Sequence, residues 1–369
     1  MHELLNLVGA DTLVCEAGTL PVDDVAKECK KLRLITSVVH KPNRHMDWAG
    51  VPDSAQSRLS MSVWSDLVDD NTSASSDLPA NDSIAKPSDI ITVWQPLDQS
   101  AKPATTTFTQ ANIVSAVAAL ITSLPLRQRI TAADLLLPAD GFNRSYVLCW
   151  TLAALFTHAS LAINSVAGPD ANLAAATRSI SPTIIIASAE SMATLHKETT
   201  AKITSPLQKF GLATQSQTLS SGRMPTPSFF LPPTTSTNSP PGKLRLILTS
   251  ERLGAGCPAL SSSMLSDLRI FTRARVVYAL TASSVAGAVT QTHVFDYRQE
   301  TQKEGGQTHS RFGAPVSSVE VRVVGDQDAA VGKSEPEGEL VVSGPAVAGG
   351  EWRSGRKVKI YEDGCLGYL

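Results

Sequence analysis

A chain of 369 residues is long enough for two or three packed subdomains with sizeable cores. Its apolar fraction of 42% suits a globular protein, and its charged fraction of 18% lies below the usual quarter. Thirty-two basic residues against 34 acids leave a net charge of −2, so there is no basic excess to condense on nucleic acid or an anionic bilayer.

The first forty residues read as a βαβ pattern. Thr12–Cys15 is a buried strand, and Pro21 opens a helix with Asp23 and Asp24 in its first turn and Lys30 and Lys31 in its last. Leu34–Val39 supplies the next strand, with nothing before the first to complete a sheet. From Asp69 to Ser88 the composition turns to Ser, Asn, Asp, Pro and Ala, which marks a linker. Apolar strands then alternate with amphipathic helices: a strand at Ile90–Trp94, a helix at Gln110–Leu124, a strand at Asp134–Leu137 and a helix at Tyr146–Phe156. A strand at Leu161–Val166, a helix at Asn172–Ile180 and a strand at Thr183–Ala187 follow. This order predicts an α/β fold with mostly parallel sheets flanked by helices.

A polar, Pro-rich insertion covers about 216–242, after which Leu244–Leu248 and Arg275–Ala279 resume the strands. Beyond Arg311, Val319–Val323 alternates strictly and Gly338–Val342 follows a turn, so a smaller antiparallel β subdomain closes the chain. The expected divisions are a partial α/β subdomain at 1–68, a linker at 69–88, a core at 89–310 and the β subdomain at 311–369.

Five dispersed cysteines without metal-type spacing read as reduced thiols of an intracellular protein. Met1–Leu5 carries no signal-peptide pattern. Leu148–Val166 is interrupted by Thr151, Thr157, His158, Ser160 and Asn164, which suits a buried helix and strand better than a membrane span. The expected location is cytoplasmic, with peripheral attachment to an intracellular membrane open. No Gly-x-Ser-x-Gly elbow supports a hydrolase triad, Gly254-Ala255-Gly256 reads as a loop, and His158 as a core or capping residue.

Three segments in order carry a resemblance: Tyr278-Ala279-Leu280-Thr281-Ala282; Phe312-Gly313-Ala314-Pro315-Val316; and Gly338-Glu339-Leu340-Val341-Val342-Ser343-Gly344 running on to Trp352-Arg353-Ser354-Gly355-Arg356 and Glu362-Asp363-Gly364. Together they resemble the AMP-binding, adenylate-forming superfamily, in particular its fatty-acyl-CoA synthetases, whose patterns are Y-G-x-T-E, G-x-P, G-E-L-x-V-x-G and W-x-x-T-G-D. Thr109-Gln110-Ala111-Asn112-Ile113 is similar to that family's T-H-x-N-I helix start. The resemblance implies ATP, Mg2+ and coenzyme A as co-reactants, activation of a carboxylate as its acyl-AMP, and transfer of the acyl group to the thiol of coenzyme A. It also implies nucleotide contacts at Tyr278, Thr281, Lys102, Gly338 and Glu339. Ala279, Leu280, Val285 and Gly287 would border an acyl site, although the small apolar run Ser283–Val289 reads equally as close packing. It implies, further, that part of the N-terminal subdomain lies before Met1 and a C-terminal domain after Leu369.

The departures are as informative. The family's Ser/Thr/Gly-rich phosphate loop ending in P-K-G precedes the T-H-x-N-I helix, and Gln95–Thr105 holds no glycine there. Asp98 adds a negative charge, Ala104 takes the lysine position, and Lys102 is close by. Ala282 stands where the magnesium-associated Glu belongs, and Arg356 where an Asp holds the ribose hydroxyls. A methyl group cannot hold Mg2+, and a guanidinium offers no acceptor. The expectation is a domain resembling a long-chain fatty-acid–CoA ligase that has lost adenylation. The alternatives are an acyl-binding or scaffold protein, with a fatty acid or other acyl ligand as partner, and an active ligase that uses Lys102.

Overall fold

The computed structural model describes residues 2–39, 50–72, 88–94, 103–163, 166–177, 179–226, 243–298, 310–325 and 335–369. The chain divides into two compact units, 1–87 and 88–369.

In the first unit, helix α1 (His2–Val8) precedes β1 (Thr12–Glu16), α2 (Val22–Glu28), β2 (Leu34–Val38), β3 (Ser60–Val63) and α3 (Trp64–Asp70). The three strands are parallel in the order β1-β2-β3. The sheet gains its third strand from later in the chain, where β3 pairs with β2, Leu34 facing Ser60. Helix α2 ends before Lys30 and Lys31, so these do not form its last turn. Arg58 takes over that task, donating to the carbonyls of Ala26 (2.5 Å), Cys29 (3.0 Å) and Leu32 (2.8 Å). A guanidinium is suited to this work, because the last carbonyls of a helix have no intrahelical donor. Val25, Cys29, Leu32, Ile35 and Leu59 form the buried core of the unit.

The second unit opens with β4 (Ile90–Trp94) and β5 (Ala104–Phe108), an antiparallel pair with Ile90 opposite Phe108. β4 therefore lies outside the parallel series in which the sequence placed it. Ala104 and Thr105, at the end of the Gln95–Thr105 segment compared with the phosphate loop, are strand, as suits a β-branched run. Residues 95–102 fall outside the described residues.

Helix α4 (Gln110–Ser123) starts with a capping box. Thr109 Oγ1 accepts from the Asn112 N–H at 3.2 Å, and Asn112 Oδ1 accepts from the Thr109 N–H at 2.8 Å. After it come β6 (Leu135–Pro138), α5 (Ser145–Phe156), β7 (Ser160–Leu161), α6 (Leu173–Ala176), β8 (Ile184–Ser188), α7 (Ala189–Ala201) and α8 (Pro206–Ser220). Then follow β9 (Leu246–Arg252), α9 (Ser262–Thr272), β10 (Arg275–Thr281), β11 (Thr290–Gln291) and β12 (Ala314–Pro315). These strands form one sheet in the order β12-β11-β10-β9-β8-β6-β7, parallel from β10 to β7, with β11 and β12 antiparallel.

Alternate residues of the central strands go to opposite faces, and both faces are buried. Leu137, Ile185, Ile247, Val276 and Tyr278 join one cluster with Leu195 of α7 and Leu265 of α9. Leu136, Ile184, Ile186, Leu248 and Val277 join the other with Leu120 of α4 and Trp150 of α5. Coverage on both sides explains why these strands read as continuous apolar runs. His158 ends α5 in the left-handed conformation (φ 60°), with His158 N–H bonded to Leu155 O and Ala159 N–H to Ala154 O. That is a Schellman cap, so the capping alternative for His158 holds and the core one does not.

The C-terminal sheet is antiparallel: β13 (Glu320–Val324), β14 (Glu337–Ser343), β15 (Glu351–Ile360) and β16 (Leu366–Tyr368) in that order. The α/β class with a small antiparallel subdomain is thus observed. Gly338 lies within β14, and a Cβ there would come within 2.6 Å of Val324 O. Gly313, at φ +76°, is needed for the same reason: a Cβ would collide with the Gln291 carbonyl. Among the described residues no helix is long and apolar enough to cross a membrane.

Candidate functional site

The strand order places a topological switch between β6 and β8, because the chain leaves β6 for β7 on one side and returns to β8 on the other. In open parallel sheets ligands bind outside the carboxyl ends of the strands near such a point. The loops there carry charge. Asp140 follows β6 and pairs with Arg144 Nε at 3.3 Å, and Arg144 Nη2 reaches Glu190 at the start of α7 at 3.4 Å. Next to them β9 ends in Glu251-Arg252, beyond the limit the sequence suggested.

Arg252 is largely buried and lies over the Trp94 ring, 3.7 Å from its centroid. Burial lowers its pKa to about 10, and nearby Arg144 acts in the same direction. Burial pushes the Cys257 thiol up to about 12, with a hydrogen bond to Glu190 adding to the effect, so it stays protonated and a poor nucleophile.

Glu251 is 4% exposed and clamped between two phenols. Tyr278 donates to its Oε2, and Tyr368 donates to its Oε1 at 2.6 Å. Burial raises its pKa, and the two tyrosine hydrogen bonds offset this only in part. The folded state therefore holds the proton more tightly than the unfolded chain. Stability falls as pH climbs from the ordinary carboxylate range of about 4 to that raised value. Glu251→Gln is expected to raise Tm at neutral pH and to match the parent in acid; a Tm loss equal at both pH values would contradict this.

A cavity of about 560 Å³ opens at the ends of these strands. Glu251, Arg252, Cys257, Arg356, Lys357 and Tyr368 are among its lining residues.

The expected nucleotide contacts do not gather around it. Tyr278 is fully buried, its ring 4.9 Å from that of Phe312 and its hydroxyl also accepting from the Leu260 N–H at 3.2 Å, so it presents no face for stacking. Thr281 donates its hydroxyl to Glu251 O at 2.9 Å. Glu339 accepts from the Gly355 N–H at 3.2 Å and pairs with Arg353 at 3.5 Å, which serves the β14–β15 hairpin. Lys102 lies outside the described residues. The expected border of an acyl site is close packing instead. Ala279 and Leu280 are interior to β10, and Val285 is fully buried and bridges to Val347. Gly287, at φ +71°, leaves a Cβ only 3.3 Å from Ala116 and 3.4 Å from Leu120. None of the four lines the cavity. Arg356 does, as do Gly254 and Gly256 of the segment read as a loop.

Glu251, Arg252, Asp140, Arg144 and Glu190 were not anticipated. The available signal was a pair of opposite charges, Glu251-Arg252, two residues after a buried apolar run and shortly before Gly254.

A parallel sheet covered on both faces, followed by an antiparallel subdomain and with its charged loops at the strand ends, is the architecture of an α/β ligand-binding enzyme fold. The AMP-binding enzyme family model matches residues 101–352, more than half of the chain, and the chain belongs to that family. Comparison with curated proteins yields no sequence match. Among solved structures, the N-terminal domain of FACL13 from Mycobacterium tuberculosis superposes with a TM-score of 0.60 at 13% identity, covering 97% of this chain and 79% of that one. The anthranilate CoA ligase AuaEII in complex with anthranoyl-AMP gives 0.61 at 12% identity over 99% of this chain, which spans 60% of AuaEII. The luciferase-like enzyme of the nonluminescent mealworm Zophobas morio gives 0.61 at 11% identity, over 100% of this chain and 73% of that one. At these identities the likeness is one of fold.

Proposed function

We propose that this member of the AMP-binding family does not adenylate carboxylates and acts as a ligand-binding protein. The observation that carries the reading is at the end of β10. Ala282, 3% exposed, offers a methyl group where the family's magnesium-associated carboxylate belongs. The residues around it do not fit Mg·ATP. The Thr281 hydroxyl is taken by a backbone carbonyl, and Arg356 provides a donor where an acceptor for ribose would be needed. No chemical step through ATP or coenzyme A is therefore derived. The packing of Gly287 and Val285 also speaks against a long acyl tunnel at that segment.

The test is carboxylate-dependent pyrophosphate exchange with purified protein, over short and long fatty acids and small polar acids. Exchange is expected to stay at the protein-free background with every acid. A signal above background that requires one of them would overturn the reading.

A further inference from the structure

The net charge of −2 hides an uneven distribution. Between Glu198 and Glu251 the sequence carries Lys202, Lys209, Arg223, Lys243 and Arg245 and no acidic residue. Arg245 is taken by Asp134, and the other four are exposed. Helix α8 lies in this stretch. Its inner side is buried at Gly211 and Leu219, the latter packed with Ile270 and Phe271 of α9. Its outer side begins with two large apolar side chains, Leu207 at 63% and Phe210 at 62% exposure, three residues apart and so on one side of the helix. A capping box fixes this first turn: Ser205 Oγ accepts from the Gln208 N–H at 3.2 Å, and Gln208 Oε1 accepts from the Ser205 N–H at 3.2 Å. Lys209 stands between the two apolar residues in sequence, and Lys202 caps the end of α7 just before them. Neither lysine forms an ion pair among the described residues.

We propose that the amino-terminal half of α8 is a docking surface for an anionic lipid bilayer, with Leu207 and Phe210 entering the acyl boundary and Lys209 and Lys202 meeting the headgroups. Apolar side chains on one side of a helix, with lysines beside them, form the pattern of interfacial binding. Each lysine adds attraction to an anionic leaflet, and its aliphatic stem lies along the apolar surface while the ammonium stays in water. The helix itself holds no carboxylate to be pressed against headgroup phosphates. Two acids lie on the neighbouring helices. Asp267 of α9 is bound by His196 at 2.9 Å. Glu198, one turn before Lys202 on α7, offsets part of that lysine's charge, so Lys209 carries the larger share. Two inserted side chains make a shallow, reversible anchor, and the inference does not depend on whether the chain adenylates.

Co-sedimentation of the full chain with phosphatidylcholine vesicles, with and without phosphatidylserine, tests it. The chain is expected to sediment with the anionic vesicles and to stay in solution with the neutral ones, and added salt should release it. Leu207→Ser together with Phe210→Ser is expected to weaken the partition about tenfold or more with Tm unchanged, because both positions are exposed. Lys209→Gln should weaken it about fivefold, and Lys202→Gln less. Lys30→Gln together with Lys31→Gln removes more charge from exposed positions of the first unit and should leave binding unchanged. The proposal is overturned if the serine pair keeps parental binding, or if the Lys30 and Lys31 variant loses as much as Lys209→Gln. It is also overturned if neutral vesicles bind equally well, or if neither vesicle sediments the chain; that last result would assign Leu207 and Phe210 to a protein partner.

Discussion

Arg245→Met is expected to cost about 3 kcal/mol of stability, measured as a lower urea midpoint at unchanged m-value. Arg245 precedes β9 and reaches under the amino ends of the parallel strands. Its Nε and Nη2 bind the two oxygens of Asp134 at 2.8 and 2.7 Å, and its Nη1 and Nη2 also donate to the carbonyls of Gln128 and Arg129. Asp134 is 6% exposed and also accepts from the Thr131 N–H at 2.9 Å and the Thr183 hydroxyl at 2.8 Å. One carboxylate thus ties the segments that lead into β6, β8 and β9. Methionine keeps much of the stem's volume and leaves a buried charge without its cation. Arg245 is itself partly exposed, which places the effect at the low end of the range for broken buried pairs.

The pH dependence provides a second check. Burial alone would raise Asp134, but the hydrogen bonds from Arg245, Thr131 and Thr183 outweigh it and hold the carboxyl below its ordinary value. The stability that Asp134 contributes is therefore present above about pH 4 and lost as pH falls through the lowered folded value. Without Arg245 that contribution disappears, so the deficit of the variant should be largest at neutral pH and shrink in acid. A deficit that is the same at pH 3 and pH 7, values chosen to bracket the carboxylate range of about 4, would mean that lost packing dominates.

The parts of the fold legible in the sequence are those where burial leaves a simple pattern. The runs at Ile184–Ile186, Leu246–Leu248 and Val276–Val277 are apolar because both faces of the sheet are covered. Helix α4 was legible from its cap, Thr109 and Asn112, as well as its apolar face. Helix α8 was not read, although Ser205-Pro206-Leu207-Gln208 forms a capping box with Pro at the first turn. Its body is polar, with Leu219 and Gly211 as its buried positions, so periodicity gave little signal. Strand β9 was cut short because Thr249-Ser250-Glu251 looks like a loop. All three are buried in the sheet, and the Glu251 carboxyl is held by partners remote in sequence, Tyr278 and Tyr368. The candidate site was missed for the same reason. Motif positions such as Tyr278, Gly338 and Glu339 were legible as family features, but their packing and hydrogen-bond partners depend on the tertiary fold.

Tyr278 provides the sharpest contrast between those two levels. A residue that stacked on a nucleotide would lose ligand affinity on truncation while the protein kept its Tm. The structure instead puts the ring in the core, between β10 and Phe312, with Phe312 in turn edge-on to Tyr368 at 5.1 Å between ring centroids. Tyr278→Ala is therefore expected to cost about 3–5 kcal/mol, the range for emptying a buried aromatic site, and to lower Tm sharply. Tyr278→Phe keeps the ring and removes the hydroxyl's bonds to Glu251 and to the Leu260 N–H, so a loss of about 1.5–3 kcal/mol is expected where that carboxyl is charged. Burial favours the neutral form of Glu251, so the loss should be smaller in acid. If Tyr278→Ala kept the parental Tm and selectively lost nucleotide binding, the ring would belong to a ligand site and the reading of this residue as core would be wrong.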